Sequence, residues 1–200
     1  MAKQIPVISK CQPGTDGVID DVGTAVGNGF IAAGNEIFIV GQGDDTDDGW
    51  LGASIYQQHF GDDKIYAPPP IDLDAEEQTG KLLAQMISSG TVTAAHDISD
   101  GGLAVTIAEM CLHSSFGAHI TPPTDGHLHG WAFGEDQARY AVTTADGAAL
   151  IKAAQKAGIA VCKIGTVISK TQLQFGDDDT ISLVELKNVS ESCLPDLMAR

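Results

Sequence analysis

The sequence predicts an α+β domain with α/β-type layers, in which helices flank a mixed β-sheet. Short apolar runs such as 35–41 alternate with helix-periodic segments such as 73–89 over the first two thirds of the chain. Near the end, the apolar runs 159–169 and 171–176 follow each other across a polar turn, as in a hairpin. With 43% hydrophobic residues in a chain of 200, the composition is that of a folded domain.

Local signals place each element in order. Residues 1–28 are glycine-rich and weakly patterned, so we interpret them as a linker or the tail of a preceding domain, and 29–200 as the domain itself. Residues 121–130 are rich in proline, glycine and histidine and are predicted to be a loop. We expect strands at 35–41, 91–95, 117–122, 137–144, 159–169, 171–176 and 180–186, and helices at 51–61, 72–89, 102–113, 147–158 and 185–198, with Pro195 as a candidate break.

Caps and apolar stripes justify the longer helices. Asp72 or Asp74 can cap the second helix, with acidic residues in its first turn and Gly90 at its end. Gly158 ends the helix that begins at 147. The expected buried stripes are Leu73, Leu82, Leu83, Met86 and Ile87 in the second helix, and Leu103, Ile107, Met110 and Cys111 in the third.

The charge balance excludes several classes of partner. The formal net charge is -16, from 27 acids and 11 bases. The acids cluster beside glycines at 43–49, 61–63 and 176–179, which is typical of solvated turns. Such a negative chain repels nucleic-acid phosphates and anionic membrane surfaces, and no apolar run approaches the ~20 residues of a membrane span.

The four cysteines are predicted to be reduced thiols of a cytoplasmic protein. Cys11, Cys111, Cys162 and Cys193 form no C-x-x-C pair. Cys111 and Cys162 fall in apolar stretches, so we expect both in the core.

The segment "AHDISDGGLA", residues 95–104, carries the densest set of polar side chains next to glycines. A strand is expected to end near Ala95 and a helix to begin near Gly102, and ligands collect at such strand-to-helix turns. Backbone N–H groups at the helix start, made accessible by Gly101 and Gly102, suit a phosphate.

Two carboxylates at a phosphate site repel the ligand unless a cation lies between them. Mg²⁺ takes oxygen from one or two carboxylates and from phosphates and water, so Asp97 and Asp100 favour a magnesium–nucleotide over a bare phosphate. Ser99 can donate to a phosphate oxygen. The alternatives stay open: Asp100 as helix N-cap, His96 as a packed strand-end histidine, and the whole segment as a capped acidic turn.

The remaining histidines raise the question of a zinc site. "HLH" at 127–129 could contribute two zinc ligands, but the spacing supplies no third. His113 and His119 are expected to be structural.

The longer stretch "AHDISDGGLAVTIAEM" resembles the signature of the C-terminal domain of the phosphoribosylformylglycinamidine synthase family, and also the "DISDGL" element of thiamine-monophosphate kinase. "GNEIFIVG", "LGASIY", "PPPIDLDAE", "FGEDQARYAVT", "KIGTV" and "LPDLM" resemble further segments of the synthase family, so the similarity covers roughly residues 14–198. The resemblance implies a fold like the C-terminal domain of aminoimidazole ribonucleotide synthase (PurM).

By this resemblance, the domain belongs to an enzyme that converts formylglycinamide ribonucleotide to its amidine with ATP, Mg²⁺ and glutamine-derived ammonia. Asp97 is implied to ligate magnesium and Ser99 to contact a phosphate of ATP or ADP, with His96, Asp100, Gly101 and Gly102 completing the nucleotide site. Glu135 and Gln137, and Asp136 between them, correspond to positions on the substrate side. Arg139 is expected to pair locally with an acid.

The resemblance also implies partners: the remaining synthase domains, a glutaminase subunit and a small accessory subunit. Because the family's catalytic histidines lie in an N-terminal domain, we expect no synthase activity from this chain alone. A cleft that faces an absent domain leaves apolar surface exposed, so the chain is expected to self-associate. The alternatives are another member of the superfamily, such as thiamine-monophosphate kinase or aminoimidazole ribonucleotide synthase, and a non-catalytic interaction domain.

Overall fold

The computed structural model describes residues 4–6, 16–18, 21–41, 50–61, 66–124, 126–177 and 179–198. Its strands are β1 (Gln4–Pro6), β2 (Asp16–Val18), β3 (Glu36–Gly41), β4 (Ala94–Asp97), β5 (Gly117–Ile120), β6 (Arg139–Thr144), β7 (Val161–Ile168), β8 (Gln172–Phe175) and β9 (Asp179–Ser182). Its α-helices are α1 (Ile55–Phe60), α2 (Leu73–Ser88), α3 (Gly102–Leu112), α4 (Leu128–Phe133), α5 (Gly147–Ala157) and α6 (Leu183–Met198), with short 3-10 helices at Val22–Thr24 and Leu51–Ala53.

The main sheet has seven strands in the order β4-β6-β3-β7-β5-β8-β9. All neighbours are antiparallel except β5 and β8, which run parallel. The sheet is therefore mixed, and the predicted fold class is confirmed. β1 and β2 form a separate antiparallel pair, and the assignment of residues 1–28 to a linker or preceding domain stays a prediction.

Helices cover both faces of the sheet. Alternate residues of β3 point to opposite sides, so Ile37 packs with the buried stripe of α3, and Phe38 with Leu82 of α2 and Leu150 of α5. The first face is covered by α3, α4 and α6, and the second by α2 and α5. Each face has its own apolar cluster, and the cluster on the first face holds α3, with the turn before it, against the sheet.

Local caps begin and end the two most regular helices. The Asp72 carboxylate accepts a hydrogen bond from the Ala75 N–H at 3.0 Å, and Asp146 does the same for Ala149. Gly158 ends α5 with a left-handed φ of 71°. Predicted and observed bounds of α2 and α5 accordingly agree to about one residue, within the scatter of helix-end assignment.

Several element boundaries differ from the prediction, and the helix predicted at 51–61 divides into a 3-10 helix, Leu51–Ala53, and α1, Ile55–Phe60. β4 spans Ala94–Asp97 rather than 91–95, because its pairing with β6 begins at Ala94 and continues to Asp97, which pairs with Tyr140. Part of the predicted loop 121–130 belongs to the short helix α4. The last strand is shorter than predicted because α6 already begins at Leu183, where the Ser182 hydroxyl accepts a hydrogen bond from Glu185. α6 continues through Pro195 without a break.

Two core predictions are wrong. Leu73 is 73% exposed, because it lies nine residues before Leu82 and a helix turns through about two and a half turns over that distance. Cys162 is exposed as well. A bulge in β7 at Ile164, where Ile37 pairs with Gly165 but Phe38 with Lys163, interrupts the alternation, and Cys162 and Lys163 are both exposed.

Only part of the predicted acidic turns lies within the described residues. Gly176 and Asp177 form a turn with an exposed carboxylate, as predicted. The cluster at 43–49 and residues 62–63 lie outside the described residues, as does Cys11, and the side chain of Cys193 is not described either. No helix among the described residues is long and apolar enough to cross a membrane.

The two described cysteines should react at very different rates. Both are free thiols, and burial raises the pKa of the Cys111 thiol to about 12. Since the thiolate is the reactive form, iodoacetamide at about pH 8 should alkylate Cys162 in the folded chain and Cys111 only after denaturation. Peptide mass spectrometry separates the two sites. Equal alkylation of Cys111 and Cys162 in the native chain would contradict this placement.

Candidate functional site

The segment from His96 to Gly102 lies at one edge of the main sheet. β4 is the edge strand, and after Asp97 the chain makes a turn in which the Gly102 N–H donates to the Ser99 carbonyl at 2.9 Å. Gly101 has φ 83° and ψ 0°, the values of the third residue of a type II turn. The left-handed conformation favours glycine there, so the turn depends on Gly101.

Gly102 is glycine for a second reason besides its φ of 69°. A Cβ atom at this position would lie 2.7 Å from the Cα and carbonyl carbon of Phe133 and 2.8 Å from the Gly134 carbonyl oxygen. The end of α4 therefore packs directly on the first residue of α3, and any side chain there would collide with backbone.

His96 is enclosed by carboxylates. Its side chain is 16% exposed, its Nε2 lies 3.1 Å from Glu109 of α3, and its Nδ1 lies 3.2 Å from an Asp97 carboxylate oxygen and 2.9 Å from the Asp97 carbonyl. Both ring nitrogens are thus engaged inside the protein. This arrangement matches the packed strand-end histidine, and it ties β4 to α3 through Glu109, a residue that the sequence did not single out.

The side chains predicted to meet metal and phosphate point to solvent. The Asp97 side chain is 61% exposed, and Ser99 and Asp100 are exposed on the turn. Asp100 does not cap α3, since Gly101 occupies the N-cap position without a side-chain hydrogen bond. Among the described residues, no three His, Cys, Asp or Glu side chains are grouped to hold a metal.

The Glu135 carboxylate reaches under this turn. Its Oε1 accepts one hydrogen bond from the Gly101 N–H and another from the Ile55 N–H at the start of α1, both at 2.8 Å. The N–H groups of Gly101 and Gly102 therefore both donate within the protein, and in this arrangement neither is open to a phosphate as the sequence suggested. Gln137 is exposed on the same loop.

A buried ion pair supports the loop that carries Glu135. Asp136 and Arg139 are 8% and 4% exposed and form a salt bridge with each other, as expected for Arg139. Arg139 Nη2 also donates to the Gly134 carbonyl at 3.0 Å, and the Arg139 carbonyl accepts the Ile98 N–H at 2.9 Å. The loop is thus held at both ends and touches the turn beside Asp97.

Tyr140 of β6 pairs with Asp97 of β4, and its side chain connects the sheet to α2. Its hydroxyl donates to Glu76 at 2.6 Å. Burial, followed by the hydrogen bond to Glu76 and the negative charges of Glu76 and Asp97, raises the pKa of Tyr140 well above its usual value. The phenol therefore stays protonated as a donor, a role that no sequence motif indicated.

The histidines at 127 and 129 lie at the start of α4 and are exposed. His129 Nδ1 is 3.5 Å from the Tyr56 hydroxyl, and Tyr56 also stacks on Phe133 with ring centroids 4.9 Å apart. A cavity of about 330 Å³ adjoins both histidines. With no third ligand among the described residues, the arrangement does not favour zinc. His119 is structural, its Nε2 lying 3.2 Å from the Gly176 carbonyl.

Residues 32–178 match the family "AIR synthase related protein, C-terminal domain". A curated relative, the phosphoribosylformylglycinamidine synthase subunit PurL of Methylocella silvestris, is 42% identical over 185 residues. That alignment covers 92% of this chain but 24% of the relative, so the chain spans about a quarter of the length of such relatives.

Solved structures of Thermotoga maritima PurL share the fold. The form complexed with FGAR has a TM-score of 0.70 at 22% identity, over 86% of this chain and 30% of that one. The form complexed with ADP has a TM-score of 0.66 at 18% identity, over 86% and 28%, and the PurLQS structure 0.64 at 18%, over 86% and 29%. At this identity the likeness establishes the fold alone. The chain belongs to the AIR synthase related protein, C-terminal domain family, and within it is a relative of the PurL subunit of phosphoribosylformylglycinamidine synthase.

Proposed function

We propose that this chain is the C-terminal domain of a PurL-type synthase of purine biosynthesis and that its 97–102 turn binds a magnesium–nucleotide, ATP or ADP. The whole enzyme would convert formylglycinamide ribonucleotide to the amidine with ATP and glutamine-derived ammonia. The domain would contribute a binding site to that reaction and would have no synthase activity alone.

The exposure of Asp97, Ser99 and Asp100 beside a buried glycine corner is the observation that carries the proposal. The turn presents carboxylate and hydroxyl oxygens to solvent, while the Gly101 and Gly102 N–H groups are engaged inside. Oxygen ligands of this kind suit Mg²⁺, which needs only one or two carboxylates when phosphates and water supply the rest.

The charge of the chain supports a cation-mediated site over a bare phosphate site. With a formal net charge of -16, the protein repels a polyphosphate unless the ligand brings a counter-charge. Mg²⁺ would supply that charge. In this arrangement Asp97 would be the metal ligand and Ser99 a donor to a phosphate oxygen, with Asp100 facing the bound water shell.

The remaining predicted site residues support the site without binding the metal. His96 orients Asp97 through its Nδ1 and is anchored by Glu109. Gly101 and Gly102 shape the turn. Gln137, two residues after Glu135, is exposed and keeps its proposed place on the substrate side.

Partners follow from the family. We expect the other synthase domains, a glutaminase subunit and a small accessory subunit to bind this chain in the cytoplasm, with no nucleic acid or membrane involved. Phe60, Ile71 and Leu73 are 73–77% exposed, which supports contact with another domain or self-association of the chain. A single monomeric species at high concentration in ultracentrifugation would argue against self-association.

Calorimetric titration of Mg-ADP into the chain tests the proposed site. We expect Asp97→Asn to weaken binding by about 1–3 kcal/mol, because a charged partner of the metal is removed. Asp177→Asn makes the same charge change on a distant turn and should leave the affinity unchanged. Equal losses in both variants, or equal binding without Mg²⁺, would refute a metal site at Asp97. Absence of binding by the wild type would favour the non-catalytic interaction domain.

A further inference from the structure

Glu135 joins two parts of the chain that are far apart in sequence. One oxygen, Oε1, accepts hydrogen bonds from the backbone of Ile55 and of Gly101, which lie 80 and 34 residues away. Hydrogen bonds from N–H groups to an ionised carboxylate are among the stronger ones in proteins. The side chain is half-buried, and its Oε1 is engaged with backbone rather than presented to a ligand.

Arg139, the first residue of β6 and directly after the loop that carries Glu135, contacts the turn at a second point. Ile98, directly after Asp97, donates its N–H to the Arg139 carbonyl at 2.9 Å, and Gly101 donates to Glu135. The two contacts bracket Ser99 and Asp100, the exposed residues between them. The orientation of both side chains therefore depends on how the loop 134–139 holds the backbone on either side.

The loop itself is rigidly supported. Arg139 pairs with the buried Asp136 and donates to the Gly134 carbonyl, so the residues on both sides of Glu135 are fixed. The other hydrogen bond of Oε1 reaches α1, whose Tyr56 stacks on Phe133 at the end of α4. Glu135 thus connects the turn to a packed frame on two sides.

We propose that Glu135 is a positioning residue for the magnesium–nucleotide site, acting through the Gly101 and Ile55 amides rather than touching the ligand. This inference rests on the proposed function. It replaces the direct substrate contact expected for this residue. What the position requires is an acceptor oxygen of the right reach, and its negative charge strengthens the two hydrogen bonds.

Three substitutions separate positioning from direct contact. Glu135→Gln keeps an acceptor oxygen at the same reach but removes the charge, so it should weaken Mg-ADP binding by only about threefold, since neutral hydrogen bonds are about half as strong. Glu135→Ala removes the acceptor, and Glu135→Asp shortens the side chain by one methylene, so both should weaken binding about tenfold, the equivalent of one hydrogen bond to a charged group. Direct charge-dependent contact predicts instead that Gln fails as badly as Ala.

Amide hydrogen exchange supplies a readout that does not involve the ligand. In Glu135→Ala and Glu135→Asp, exchange at Gly101 and Ile55 should accelerate, while buried core amides such as Val142 remain as slow as in the wild type. In Glu135→Gln, exchange at Gly101 and Ile55 should be slower than in Glu135→Ala and faster than in the wild type. If Ala does not fold, the Gln and Asp variants carry the comparison.

The outcomes distinguish this inference from the proposed function. One outcome refutes the positioning role and leaves the nucleotide site standing. In that outcome the wild type binds Mg-ADP, Glu135→Ala or Glu135→Asp binds it equally well, and amide exchange at Gly101 is unchanged. If Gln loses affinity as Ala does, a direct contact replaces positioning. If the wild type binds no Mg-ADP, the proposed function fails first, and this inference fails with it.

Discussion

A Gly102→Ala variant is expected to lose about 2–5 kcal/mol of unfolding free energy. The left-handed φ of 69° costs an alanine about 1–2 kcal/mol. The new Cβ would also lie 2.7 Å from the Phe133 backbone. Backbone cannot rotate aside as a flexible side chain can, so α4 must shift away from α3, and overpacking of this kind adds about 1–3 kcal/mol.

Gly158→Ala is the matched control for this substitution. Gly158 has nearly the same φ, 71°, but a Cβ there would meet no atom within 4 Å. We expect it to lose only the cost of backbone strain, about 1–2 kcal/mol. Urea unfolding of both variants measures the difference, which isolates the contact with α4. If the two variants lose the same free energy, the close approach of α4 to Gly102 is wrong.

Arg139→Met is expected to destabilise the chain by about 3–5 kcal/mol, because it leaves the Asp136 carboxylate buried without its counter-charge. Asp136 and Arg139 are 8% and 4% exposed, so solvent cannot compensate. The same change removes the hydrogen bond to the Gly134 carbonyl and loosens the loop that carries Glu135. The midpoint and slope of urea unfolding measure the loss.

Two controls accompany this prediction. Lys81→Met breaks the exposed i,i+4 pair with Glu77 and should leave the unfolding midpoint unchanged. The double variant Asp136→Leu/Arg139→Met removes both charges and should recover part of the loss, since replacing a buried pair by apolar side chains is often nearly neutral. The single variant Asp136→Leu completes the comparison, and a double variant that loses as much as the two single variants together would show that the pair is not coupled.

The helices whose bounds were predicted to within about one residue are defined by interactions between residues close in sequence. α2 begins where the Asp72 carboxylate meets an amide three residues on, and α5 begins in the same way at Asp146. Such caps act within one turn of chain, so the residues that form them are visible together in the sequence. The buried stripe of α3 was predicted for the same reason, from the 3.6-residue period.

The elements that were missed are stabilised by distant contacts. α4 has six residues, which are too few for a clear period, and exists where Phe133 packs against Tyr56 and Gly102. β4 continues to Asp97 because β6 offers partners that far. Cys162 is exposed because a bulge in β7 interrupts the alternation of side chains, and the bulge arises from the pairing of β7 with β3.

The sequence by itself determined that residues 95–104 form a glycine turn with exposed acids before a helix, because a turn with positive φ and the polar residues beside it are properties of neighbouring residues. Only the tertiary structure decided which of those groups are free to meet a ligand. The Gly101 amide donates to a carboxylate 34 residues away, and His96 is enclosed by Glu109. Those partners depend on how α4 and α3 pack on the sheet, and packing brings together residues whose spacing along the chain carries no signal.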